Sequence, residues 1–159
     1  MTLRIRAAET EDVQVIGRLI RELAKFERLE DQVVTTDELL RTGLFGPRPY
    51  AEAVIAEDDG RPIGFALFFH TFSTFLARPG LYLEDLFVLA DQRGRGVGRA
   101  LLAHLAHLAV ERGCGRLEWS VLNWNQDAIR FYERLGARPN SEWTVYRLTG
   151  EALDALGRE

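Results

Sequence analysis

At 159 residues, with 47% apolar and 28% charged side chains, the chain has the make-up of one ordinary globular domain spanning 1–159. A net charge of −4 argues against general nucleic-acid binding, the absence of any ~20-residue apolar run argues against a membrane span, and a lone cysteine, Cys114, excludes an intramolecular disulfide and a multi-cysteine metal site. The N-terminal MTLRIRAAETED lacks the apolar core of a secretory leader, so the expected location is the cytoplasm.

Leu3 to Arg6 alternates apolar and charged residues and predicts a strand. Thr10 is placed to cap a helix in which Val13, Ile16, Leu19, Ile20 and Leu23 recur at helical spacing. The acidic stretch from Phe26 to Val33 breaks that period. Thr36, with Asp37 and Glu38 behind it, opens a short second helix ending near Gly43. Ala51 to Glu57 and Ile63 to His70 read as strands of a hairpin turning at Asp58-Asp59-Gly60. Pro79-Gly80 reads as a turn before a strand over Leu81 to Val88. A helix is expected over Val97 to Arg112, a strand over Arg116 to Leu122, a helix over Gln126 to Leu135 and a last strand over Trp143 to Leu148, with a short or frayed helix beyond Gly150. The alternation after residue 81 implies a partly parallel sheet, while the earlier hairpin is antiparallel.

Between the strand ending near Val88 and the helix at Val97, Arg93, Gly96 and Gly98 spell R-x-x-G-x-G, with Gly94 as a third glycine. Glycines let a ligand approach backbone amides, and a helix start offers unpaired N–H groups at a positive dipole end. The unit is an anion cradle suited to phosphate. It is not a P-loop, because Arg99 and Ala100 stand where Lys and Ser/Thr are needed. Nor do its glycines have dinucleotide-fold spacing. The diphosphate of coenzyme A and a ligand-free tight turn both remain compatible with the turn alone. His104 and His107, three apart, lack a third partner for a metal, and no metal is expected.

Two signatures in order are more specific. R-x-x-G-x-G after a strand, followed by Asn125 and a helix carrying F-Y-x-x-x-G-A (Phe131, Tyr132, Gly136, Ala137), resembles the GNAT superfamily of acetyl-coenzyme A-dependent N-acetyltransferases. Within it, IRELAKFERLEDQV (20–33), LYLEDLFV (81–88) and WNQDAIRFYERLGA (124–137) are similar to segments of the spermidine/spermine (diamine) and thialysine acetyltransferases. The resemblance implies an α/β (α+β) GNAT fold, a central twisted mixed sheet of about six to seven strands flanked by about four helices. It implies acetyl-CoA as cosubstrate, no metal, a small cationic amine as acceptor and a homodimer.

Residue by residue, the resemblance implies that backbone groups of Leu86, Phe87 and Val88 pair with the pantetheine arm. The turn Arg93, Gly94, Arg95, Gly96, Val97, Gly98 and Arg99 would cradle the diphosphate, and Asn125 would also touch the cofactor. Tyr132 is the candidate general acid, and Glu84 the candidate base or amine-binding carboxylate. Phe26, Glu27, Glu84 and Asp85 form the candidate acceptor site. Phe26 stands where the polyamine enzymes usually have Tyr. Because strand neighbours face opposite sides, Glu84 and Asp85 are expected to play different roles. A peptide or protein acetyltransferase and a non-catalytic acyl-CoA-binding module are the competing readings.

Overall fold

Five strands form one sheet in chain order: β1 Leu3–Ala7, β2 Glu52–Asp58, β3 Arg61–Ser73, β4 Arg78–Val88 and β5 Leu117–Trp119. The first four are antiparallel and β5 joins β4 in parallel. Five helices accompany them: α1 Val13–Glu27, α2 Asp37–Phe45, α3 Val97–Glu111, α4 Gln126–Arg134 and α5 Gly150–Gly157. The computed structural model describes all 159 residues. They fall into two compact units, Met1–Ser120 and Val121–Glu159, and the whole sheet lies in the first.

The apolar period of α1 places Ile16 and Leu19 in one cluster with Leu44 of α2 and Ala53, Ile55, Phe65 and Phe87 of the sheet. Full burial of such a side chain stabilises by roughly 1.5–3 kcal/mol each, so this face is specified strongly. Residues two apart on a strand share a face, so Asp85 lies on the same face as Phe87. α3 packs against β1, β3 and β4 and buries Val97, Leu101 and Leu105.

The helix ends follow local chemistry. A 3-10 turn, Thr10–Asp12, precedes α1, and the cap there is a box between Glu9 and Asp12 rather than Thr10. α1 runs through Phe26 to Glu27 and stops at Arg28, whose φ of 61° puts it in the left-handed region. Thr36 caps α2, its hydroxyl accepting from Leu39 N at 3.1 Å.

Three expectations need correction. The sheet has five strands, not six or seven, because Trp143 to Leu148 pairs with nothing despite its β-forming residues. The strand expected over Arg116 to Leu122 shrinks to Leu117–Trp119, paired only with Leu81–Leu83. Pro79-Gly80 is not a turn. The chain reverses at residues 74–77, and β4 begins at Arg78. There Gly80 serves close packing: a Cβ on it would lie 2.5 Å from Thr71 Oγ1.

Candidate active site

The glycine turn forms where expected. Gly94 and Gly96 have φ of 76° and 83°, and Gly96 is the residue before the first turn of α3. No side chain caps this helix start, unlike α2 and α4. A Cβ built on Gly94, Gly96 or Gly98 meets nothing within 4 Å. The space over these amides is open, so the glycines fit the close approach of an anionic group such as a diphosphate. The arginines are used differently. Arg95 bonds Gln92 and lies 3.6 Å from Asp58. Arg93 Nε–H donates to the Val88 carbonyl at 2.9 Å, and the guanidinium carbon stands 4.5 Å and 5.2 Å from the Phe26 and Phe87 ring centres. Arg99 is exposed in the first turn of α3.

Beside the turn, β4 has an open edge. β5 leaves it after Leu83, so no strand lies alongside Glu84–Val88 on that side. Leu89 N–H donates to Ile63 O at 2.9 Å, which fixes the alternation of the β3–β4 ladder. By that alternation the main-chain groups of Phe87 face β3, its register partner being Phe65, while those of Leu86 and Val88 face the open edge. An extended ligand can add there as a strand would. Leu86, and Val88 through its N–H since its carbonyl accepts from Arg93, are therefore the residues offering main-chain bonds; the Phe87 side chain is 5% exposed in the core.

The open stretch begins at a β-bulge. Register pairs Leu67 with Asp85 and Phe68 with Leu83, leaving Glu84 as the extra residue of β4. A bulge bends its strand and ends regular pairing, which accounts for the short β5. It also breaks the strict alternation expected of Glu84 and Asp85. The two carboxylates interact, and Glu27 at the end of α1 joins them. Burial, then the charges of Glu84 and of Glu27, pushes the Asp85 carboxyl up to about 6. Burial also raises Glu27. Glu84 is exposed. Two acids with raised affinity for protons, Asp85 and Glu27, thus lie within electrostatic reach of each other, and Asp85 also feels Glu84.

In the second unit, Asn125 is the cap of α4, its Oδ1 accepting from Ala128 N at 3.3 Å. Tyr132 lies on α4 with its ring centre 5.5 Å from that of Phe131. No group of three His, Cys, Asp or Glu side chains, these acids included, is placed to hold a metal ion. His107 lies 3.5 Å from Glu111. No helix is long and apolar enough to cross a membrane.

Sequence reasoning missed two features. One is the perturbed titration of Asp85, which depends on a bulge and on the reach of α1, neither written in the local pattern. The other is the contact of the exposed Arg93 with two rings, those of Phe26 and Phe87, which nothing in the local sequence pattern links.

An unpaired strand edge leads here to a glycine turn at a helix start, with three acidic residues at its other end. Residues 18–137 match the family described as acetyltransferase (GNAT) family, and the chain belongs to that family. It is therefore an acetyltransferase, and the acetyl donor of the family is acetyl-CoA. The chain is 38% identical to thialysine N-epsilon-acetyltransferase of Bos taurus, over 96% of this chain and 95% of that protein. It is 34% identical to L-ornithine N5-acetyltransferase NATA1 of Arabidopsis thaliana, over 99% and 89% respectively. Among solved structures, a Vibrio cholerae integron cassette protein superposes with a TM-score of 0.85 at 27% identity, over 100% of this chain and 99% of that one.

Proposed function

We propose that the protein acetylates a primary amine of a small cationic acceptor, a diamine, polyamine or thialysine- or ornithine-like amino acid, by direct attack in a ternary complex. The observation that carries this reading is the gathering of Glu27, Glu84 and Asp85 where the open edge of β4 begins. An alkylammonium finds three carboxylates there, and the names of the similar thialysine and ornithine enzymes support the substrate class.

Acetyl-CoA supplies an activated acyl group when bound. In this reading the amides of the turn from Arg93 to Arg99 hold its diphosphate, and the edge groups of Leu86 and Val88 hold the arm. The acids hold and orient the ammonium, which must lose a proton before it attacks. An amine of ordinary pKa about 10.4 does not release it readily to a carboxylate of ordinary pKa. Asp85, titrating at about 6, is the better acceptor of the two neighbours, through water, and Glu84 is the exposed carboxylate that binds. Tyr132 is the proposed donor of a proton to the departing thiolate, on the strength of its motif. Asn125, whose Oδ1 caps α4, is the further proposed contact to the cofactor. We read 1–159 as one catalytic domain, since the family match runs through both units, acting as a cytoplasmic homodimer.

The test is a turnover screen with acetyl-CoA over diamines, polyamines, thialysine, ornithine, lysine and short peptides, followed by thiol release. Turnover is expected with free amines carrying a second charged group. Turnover confined to peptides would replace this reading with protein acetylation. Acetyl-CoA binding without turnover of any acceptor would make the chain a binding module.

A further inference from the structure

We propose that Arg93 is a positioning residue that ties the acceptor side of the site to the donor strand, stacking between Phe26 of α1 and Phe87 of β4 and so fixing Glu27 beside Asp85. The inference rests on the reading of these acids as the amine site. Arg93 opens the glycine signature, where its charge would be expected to serve a phosphate. Its contacts go elsewhere. The Nε–H is committed to the Val88 carbonyl at 2.9 Å, and the guanidinium carbon lies 4.5 Å and 5.2 Å from the Phe26 and Phe87 ring centres. Phe87 is core and Val88 lies on the open edge, so one end of this link is rigid. Its other end is Phe26, half-exposed in the last turn of α1, one residue before Glu27 and two before the left-handed Arg28.

The arrangement answers a physical problem. Glu84 and Glu27 each bear on the Asp85 carboxyl with like charge. Glu27 sits at a helix end, the part of a helix most prone to fray. Something must hold that turn in without neutralising the acids. Arg93 makes no ion pair with any carboxylate; it grips the turn through the Phe26 ring by cation–π contact and leaves the acids to the substrate. A tyrosine at position 26 has the same ring, so the link tolerates that exchange.

The experiment compares wild type, Phe26→Leu, Phe26→Tyr, Arg93→Gln and the double variant Phe26→Leu/Arg93→Gln. Steady-state kinetics uses the best acceptor of the amine screen. Phe26→Leu and Arg93→Gln should each raise the acceptor KM about tenfold and leave the acetyl-CoA KM within about twofold. Phe26→Tyr should restore the wild-type value, and the double variant should be no worse than either single one. An acetyl-CoA KM that rises alone, or single effects that multiply in the double variant, overturns the proposal. Carboxyl-carbon NMR of Asp85 provides a readout that needs no turnover. In Phe26→Leu its midpoint should fall as Glu27 swings away, and an unmoved midpoint overturns the link even if no acceptor is ever found. Failure of the amine reading itself shows differently, as no turnover in wild type.

Discussion

Glu84 and Asp85 are adjacent in one strand and chemically similar, yet the fold treats them unequally. Asp85 shares the core face with Phe87, and burial is the main reason its carboxyl titrates at about 6, with Glu84 and Glu27 adding to it. The sign of the consequence is fixed. A carboxyl whose folded pKa lies above its ordinary 3.8 favours folding most below that value, and the contribution is lost as pH rises through about 6. At pH 7 the ionised Asp85 therefore strains the fold, by up to about 3 kcal/mol, in return for a charge an ammonium can use. Asp85→Asn should accordingly raise the melting temperature at pH 7. In the wild type the acceptor KM should fall about tenfold between pH 5 and 7, because the amine stays cationic while Asp85 ionises. In Asp85→Asn that step should vanish. A wild-type KM flat over this range would remove Asp85 from the amine site.

At the scale of elements, the glycine turn separates what the fold needs from what a ligand needs. Gly96 has φ of 83°, so Gly96→Ala carries a backbone penalty of roughly 1–2 kcal/mol in the protein itself. Gly98 differs. It lies inside α3 with no positive φ, and a Cβ there meets nothing. Gly98→Ala should stabilise the helix by up to about 1 kcal/mol, yet place a methyl group over the amides offered to the diphosphate. Calorimetry with acetyl-CoA should show a loss of affinity of tenfold or more in a variant that melts no earlier than wild type. Unchanged affinity would mean that the turn binds nothing at Gly98. This turn was legible in the sequence because glycine spacing encodes local conformation directly, and so were α1 to α4, whose apolar periods are local, although only the cap of α2 was read correctly. The bulge at Glu84 was not, since it arises from register between β3 and β4. Nor was the loss of a strand at Trp143 to Leu148: β-propensity is written in those residues, but a ladder partner is not. Gly80 misled for a related reason, because glycine marks a turn and a tight packing contact with the same letter.

At the scale of the whole molecule, the sheet unit depends on an ionic tie at its edge. Arg6 of β1 donates to both carboxylate oxygens of Asp12, at 2.7 Å and 2.9 Å, and to Glu57 of β2 at 2.7 Å. Asp12 also accepts the Glu9 N–H at 2.7 Å, closing the box that starts α1. One arginine thus joins two strands to the entry of the helix that carries Phe26 and Glu27. The tie is mostly shielded, with side chains of Arg6, Asp12 and Glu57 at 23%, 11% and 9% exposure. Hydrogen bonding to Arg6 holds the Asp12 carboxyl below its ordinary 3.8, so here the sign is opposite to that of Asp85. Its stabilisation is present above about that value and is lost as pH falls through the lower, folded one. Asp12→Asn keeps an oxygen for Glu9 N–H but removes the charge facing Arg6, and should cost about 3 kcal/mol at pH 7. Urea melts should show the gap between wild type and Asp12→Asn at full size at pH 7 and 5, shrinking as the pH is taken below 4. A gap of constant size down to pH 3 would show that the tie acts through shape rather than charge.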